Sequence, residues 1–221
     1  MNDILNIISS SSSGNCYIYN QDLMVDIGVP FSKIKSYYKD IKLLLLTHLH
    51  SDHLMKTTLK KIIYEKPTLK IVCGWWLVNN LVEIGVDKKN IYVLEIDKKY
   101  DLGKYIIEPV MAFHDVPNCG YKIIIKSTNY KIFHISDTGS IDHIEAKDYD
   151  WYSIEGNYET DEEIKKKIKE AREKGEFCYL ERVQNTHINQ VKALNWLNKN
   201  KGVDSQFQFI HQHEDKEENN E

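Results

Sequence analysis

The stretch "LLLLTHLHSDHL", residues 43–54, places His48, His50, Asp52 and His53 directly after four consecutive leucines. The leucine run is short, apolar and bounded by polar residues, which predicts a strand buried on both faces. Such a strand is rigid, so its C-terminal end is a good mount for a metal site. His48 and His50 are two apart, and in extended chain they project from the same side. Asp52 and His53 follow where the chain turns towards the next helix. Neutral imidazole and carboxylate suit Zn²⁺, and also Mn²⁺ or Fe²⁺. Four potential ligands in six positions exceed what one open catalytic site needs, so the spacing points to two metal ions close together. A solvated histidine-rich turn is the rival reading, and the strand–loop–helix context argues against it.

Working outward, "ILNIIS" reads as a strand and "SSSSGN" as a tight loop. "CYIYN" and "LMVDIG" form a predicted hairpin. "PFSKIKSYYKDI", "LMKTTLKKIIYEK" and "WWLVNNLVEIG" have helical spacing, the last stopped by Gly85. "KIVCG", "NIYVLEI", "KYIIEPVMAFH", "GYKIIIKS", "YKIFHISD" and "QFQFIH" read as strands. "TDEEIKKKIKEAREKG" has a capping threonine, acids in its first turn and a glycine stop, so it is a predicted helix. "THINQVKALNWLNKN" is another. Hairpins come first and mixed α and β follow, which fits sheets sandwiched between helices. The expected organisation is one domain over residues 1–213, followed by an acidic disordered tail, "EDKEENNE", at 214–221.

The chain has 221 residues, enough for one sizeable core. Hydrophobic residues make up 42% and charged residues 28%, with a net charge of −4. The balance lacks the overall basic excess of many nucleic-acid binders, although a local basic patch would suffice. Cys16, Cys73, Cys119 and Cys178 are scattered singly, so no Cys-based zinc site or disulfide framework is indicated. "MNDILNIISSSSSGN" turns polar too early for a secretory signal, and no apolar run approaches membrane-spanning length. A cytoplasmic protein without a membrane partner is expected.

"THLHSDH" resembles the HxHxDH signature of the metallo-β-lactamase-fold hydrolases, and the resemblance extends along most of the chain. "VDIG", with Asp26, resembles the strand-end aspartate that precedes the signature. "AFHDVPNCGYKI", with His114, resembles the next metal-binding histidine segment. "FHISDTG", with Asp137, resembles the segment of the metal-bridging aspartate, and "FIHQHE" that of the last ligand histidine. The resemblance implies a four-layer αββα sandwich of the α+β class, with metals at one edge between the sheets. It implies that His48, His50 and His114 hold one ion, that Asp52, His53 and His211 hold a second, and that Asp137 bridges them. Zn²⁺ is the first candidate and Mn²⁺ the second. A water shared by two such ions loses its proton near neutral pH and becomes the nucleophile, with Asp52 orienting it. "HQH" leaves His213 competing with His211 for the last position. His134 lies off the face of Asp137 and reads as structural; His143 has no motif around it.

Within that superfamily, "SSSSGNCYIY" resembles the opening of small bacterial phosphodiesterase and exonuclease-like members. "NTHINQVKALNWL" resembles a segment of those enzymes and of RNase Z in which a histidine opens a helix by the scissile phosphate. That histidine is His187, which is expected to act as a catalytic acid or charge stabiliser unless it merely caps a helix. "IEGNY", with Glu155 and Asn157, is similar to an acidic stretch of the same branch, but Tyr158 stands where a histidine is expected, which puts a supporting role in doubt. The backbone of the serine loop at 9–13 either lines the phosphate site or forms a plain turn. The expected activity is two-metal hydrolysis of a nucleotide or nucleic-acid phosphodiester. The alternatives are cleavage of a small cyclic mononucleotide and a catalytically inactive binding protein. A homodimer is allowed but nothing in the sequence requires one. The helix at 160–175 is either a solvated face or, through Lys165, Lys166, Lys167, Lys169 and Arg172, a clamp for a polynucleotide backbone.

Overall fold

Among the described residues, twelve strands form two six-stranded sheets. The computed structural model describes residues 4–175, 178 and 180–212. The first sheet runs in chain order: β1 (Leu5–Ser11), β2 (Gly14–Tyr19), β3 (Leu23–Val25), β4 (Leu43–Leu45), β5 (Lys70–Cys73) and β6 (Ile91–Val93). The first three pair antiparallel, and β3 to β6 are parallel. The second sheet has the order β12–β11–β10–β9–β8–β7. It comprises β7 (Tyr100–Asp101), β8 (Tyr105–Ala112), β9 (Asn118–Ile125), β10 (Tyr130–Ile135), β11 (Trp151–Glu155) and β12 (Gln206–Ile210).

The period-two alternation of strand side chains sorts the core into three layers of contact. Leu23, Val25, Leu43, Leu45 and Val72 face Ile107, Tyr121, Ile123 and Ile132 between the sheets. Their neighbours Met24, Leu44 and Ile71 point the other way, towards Leu59 and Ile62 of α2 (Lys56–Glu65) and Leu81 and Ile84 of α3 (Val78–Ile84). On the far side, Phe133, Ile135, Tyr152 and Ile154 pack against Ala193, Trp196 and Leu197 of α6 (Gln190–Asn200). The result is the expected αββα sandwich. The leucine run is indeed a central strand, with Leu43 to Leu46 all buried.

Two local expectations are corrected. The helix expected over "PFSKIKSYYKDI" is only Phe31–Ile34, and turns follow it. The N–H groups of both Tyr37 and Tyr38 converge on the Ile34 carbonyl, at 2.9 and 3.0 Å, so the hydrogen-bond ladder does not propagate. Tyr38 and Ile41 instead fold into the outer apolar layer. The serine loop is mostly not a loop: Ser9 to Ser11 end β1, and only Ser12 and Ser13 make the turn into β2. Residues 214–221 lie outside the described residues. Among the described residues, no helix is long and apolar enough to cross a membrane.

Candidate metal centre

Beyond β4 the chain runs through Thr47 to His50 and then reverses. The N–H groups of His53 and Leu54 both reach the His50 carbonyl, at 2.9 and 2.8 Å, which delivers the chain into α2. Close backbone contact fixes this loop. Asn15 N–H donates to the Asp52 carbonyl at 2.7 Å, and Ile27 N–H donates to the His53 carbonyl at 2.8 Å. Gly28 passes so near that a Cβ there would fall 1.6 Å from the Asp52 carbonyl oxygen, which accounts for the glycine in "VDIG".

Three other residues reach the centre from strand ends through left-handed backbone. Asp26, after β3, has φ 57°; Asp137, beyond β10, has φ 52°; His211, after β12, has φ 52°. This conformation is uncommon outside glycine, is most accessible to Asn, Asp and His, and recurs where structure holds a functional side chain in place. Here it turns three polar side chains off their sheets towards the signature loop.

Asp137 belongs to three candidate donor sets: one joins it and His211 to Glu155 and His187, and two hold the expected ligands. In one of these two, ligand atoms of His48, His50, His114 and Asp137 all lie within 4.8 Å of one another; in the other, those of Asp52, His53, Asp137 and His211 do. Asp137 Oδ2 is 3.7 Å from Nε2 of both His48 and His114, and Asp137 Oδ1 is 3.2 Å from His53 Nε2 and 3.4 Å from His211 Nδ1. The structure thus brings together all seven residues singled out as ligands from the sequence, whereas His213 lies outside the described residues.

This donor set fits divalent cations. His48 Nε2 is buried with no hydrogen-bond partner, an arrangement that costs free energy unless something else satisfies it. Burial, reinforced by the charge of His53, holds His48 well below the usual imidazole pKa, so its lone pair is available. At His53 burial opposes charge, but Asp137 and Asp26 outweigh it and push the imidazole well above its usual range. The two carboxylates therefore favour positive charge in the heart of the cluster. The ring nitrogens are also oriented from behind. His53 Nδ1 lies 2.7 Å from Asp26 Oδ2, and Asp26 in turn accepts from the Thr47 N–H and hydroxyl. The other nitrogen of His53 is thereby aimed at Asp137, a carboxylate–histidine arrangement common behind metal ligands.

His187 sits at the rim, following α5 (Leu180–Thr186). Its ring stacks on His211 with centroids 5.3 Å apart and planes 9° apart. Its Nδ1 lies 2.5 Å from Oε1 of Glu155, which is fully buried. Burial disfavours the imidazolium, but the Glu155 charge and hydrogen bond prevail and raise the pKa to about 9. Glu155 Oε2 accepts from the backbone N–H groups of Thr138 and Ile188, at 2.8 and 3.4 Å, so this carboxylate is committed to bracing. Within "IEGNY" it is thus Glu155 that contacts His187, whereas Tyr158 bonds Asp161.

Other residues at the centre escape sequence reading. Asn15 donates to His53 Nε2 at 2.9 Å and to Asp52 Oδ2 at 3.3 Å, while its carbonyl oxygen accepts from Tyr17 at 2.9 Å. Ser10 accepts from the His211 N–H at 2.8 Å. Asp115 lies 3.1 Å from His114 Nε2 and 3.3 Å from His50 Nε2, and pairs with Arg182 of α5. The only available signals were local: "GNC" beside a serine turn, and the acid immediately after His114. His134 is buried between the sheets, where its Nδ1 meets the Tyr19 hydroxyl at 2.8 Å, and His143 lies at the surface against the Met111 carbonyl.

Residues 22–211 match the family model of the β-lactamase superfamily domain, a span that contains the whole donor cluster. The chain belongs to the β-lactamase superfamily. Three solved structures share this superfamily fold with it. They are the metallo-β-lactamase fold protein YhfI of Bacillus subtilis (TM-score 0.72, 16% identity, 95% of this chain and 86% of that one), human tRNase Z, short form (0.69, 12%, 95% and 92%), and a diphosphatase of the PhnP family (0.64, 11%, 95% and 85%). In sequence, the exodeoxyribonuclease WalJ of Streptococcus pneumoniae is 26% identical over 169 residues. That match takes in 70% of this superfamily member and 62% of WalJ, so the chain spans about six-tenths of the curated relative's length.

Proposed function

We propose that the protein is a two-metal hydrolase of a nucleotide or nucleic-acid phosphodiester. The observation that carries this reading is the pair of donor sets sharing Asp137, with a carboxylate-braced His187 stacked on one of their members. His48, His50 and His114 would hold one ion, Asp52, His53 and His211 the other, and Asp137 both. The histidine-rich set puts Zn²⁺ first, with Mn²⁺ sharing the same ligands. Such ions supply Lewis-acid polarisation of a phosphoryl oxygen and a nucleophile from water at neutral pH.

The protein's own groups would do the rest. Asp52 is fixed through one oxygen by Asn15 at 3.3 Å and retains lone pairs with which to orient an attacking water. His187 has Nδ1 occupied by Glu155, so Nε2 is the nitrogen that presents a proton to the leaving oxygen. The WalJ and tRNase Z likenesses support a nucleic-acid substrate, because both of those proteins are named for acting on one.

The direct test incubates metal-loaded protein with single- and double-stranded DNA, RNA, cyclic mononucleotides and bis(p-nitrophenyl) phosphate. Metal-dependent cleavage of polynucleotide is the expected outcome. Turnover of cyclic mononucleotides alone would favour a small-substrate enzyme, and no turnover of any phosphodiester with either metal would sink the proposal.

A further inference from the structure

We infer that a cleft lined by Trp75, Trp76 and Phe113 is a stacking subsite for an unpaired nucleobase whose phosphate lies at the neighbouring His/Asp cluster. This deepens the phosphodiester reading and rests on it. The cleft has a volume of about 540 Å³, within the range of small-molecule pockets, and His114 and Asp115 form part of its wall. The His/Asp centre and the cleft are therefore continuous through His114.

The cleft is aromatic and exposed, and one of its rings is braced from behind. Trp75 is 71% exposed and Phe113 51%, an unfavourable use of large apolar rings unless something covers them. Trp76 is locked in place. Its Nε1 donates to the Thr47 carbonyl at 3.2 Å, one residue before His48. Its ring lies over Gly74, where a Cβ would fall 2.2 Å from the ring, so only glycine allows this packing. Trp75 meets Trp76 edge-on, with centroids 6.1 Å apart. The aromatic platform and the first metal-ligand histidine thus belong to one braced unit.

Charge selects the occupant. The acid on the wall, Asp115, is paired with Arg182 and lies against His114. The remaining polar lining includes Asn118, Asn185 and Thr186. A flat, neutral, aromatic group with a few polar edges suits this surface, and a nucleobase is such a group, joined to the phosphate that the adjacent centre would take. A base inside a duplex has both faces covered by its neighbours, so the cleft requires a single-stranded or frayed end. Stacking of this kind is tolerant of base identity.

The test measures binding to the 221-residue chain by fluorescence anisotropy. The probes are short dye-labelled single strands with phosphorothioate linkages that resist hydrolysis, either with all bases present or with abasic residues at the end. The base-bearing strand should bind about tenfold more tightly, equivalent to ~1.4 kcal/mol. Trp75→Ala should bring that ratio close to one, Trp75→Phe should preserve most of it, and Phe207→Ala, an exposed aromatic on β12, should leave it intact. Equal affinities in the parent, or a ratio that survives Trp75→Ala, would overturn the subsite. A base preference without cleavage of any diester would leave the subsite standing and count against the phosphodiesterase; cleavage without base preference would do the opposite.

Discussion

Glu155 Oε1 and His187 Nδ1 are 2.5 Å apart, joining the end of β11 to the residue that follows α5. Glu155 is wholly buried and bound to two backbone N–H groups, so it is fixed independently of the histidine it orients. Glu155→Gln keeps the size of the side chain and removes its charge. We expect kcat to fall by about 10–100-fold, in line with loss of an orienting partner. His187→Ala should cost about 10² or more in kcat. Elemental analysis of both variants should show the metal content of the parent, and loss of an ion from His187→Ala would reassign that histidine as a ligand.

The Asp26–His53 contact predicts a different phenotype. Asp26 touches no proposed site of reaction; it holds His53 Nδ1 at 2.7 Å and ties Thr47 to the same point. Asp26→Ala should therefore weaken metal binding by about 10–100-fold, measured by competition with a chromogenic chelator. It should also lower the unfolding midpoint of metal-free protein, because His53 and Thr47 are left buried without their partner. Unchanged metal affinity would show that His53 is oriented by Asn15 and Asp137 alone.

How much of this was legible in the sequence depended on how local each signal was. His48, His50, Asp52 and His53 announce themselves within six residues, and the leucines before them define the strand that carries them. His114, Asp137 and His211 have no such local pattern and were found through family resemblance. Asn15 was invisible because its meaning arises only on meeting Asp52, 37 residues away. The role of Glu155 stays in doubt from sequence because Tyr158, three residues on, breaks the expected motif, whereas its partner is His187, 32 positions on. Trp75 and Trp76 of the cleft look like the start of a helix in sequence, since "WWL" has helical spacing. In the structure those residues form a separate 3₁₀ turn, and α3 begins at Val78.

The basic helix α4 (Asp161–Glu173) changes meaning once its ion pairs are seen. Lys166 faces Glu170 at 3.9 Å, Lys167 faces Glu163 at 3.0 Å, and Lys169 faces Glu173 at 3.8 Å, each one turn apart. Arg172 is engaged by Glu181 of α5 at 2.9 Å. Ile164 and Ile168 are its buried residues. This is a solvated, charge-laced face rather than an uncompensated basic strip. Replacing Lys165, Lys166 and Lys169 by Glu should change polynucleotide cleavage by less than about twofold and leave its salt dependence as in the parent. A several-fold loss confined to polynucleotide, with a shallower salt dependence, would restore the clamp.

The position of His211 follows from how β12 ends. Ile210 is fully buried between the sheets, and the next residue, His211, turns inward through left-handed backbone. Its N–H is held by Ser10 at 2.8 Å, its carbonyl accepts from Asn157 at 2.9 Å, and its Nδ1 lies 3.4 Å from Asp137 Oδ1. The residue is thus held through both of its backbone polar groups, and its ring is placed beside Asp137. His211→Ala removes one of four donors from the set that includes Asp52 and His53, while the set containing His48 keeps all of its own. Metal analysis after dialysis should therefore show about one ion retained instead of two, and phosphodiester turnover should fall by at least about 10². His213→Ala should leave both quantities near parental values. The reverse pattern would move the ligand two residues along the chain.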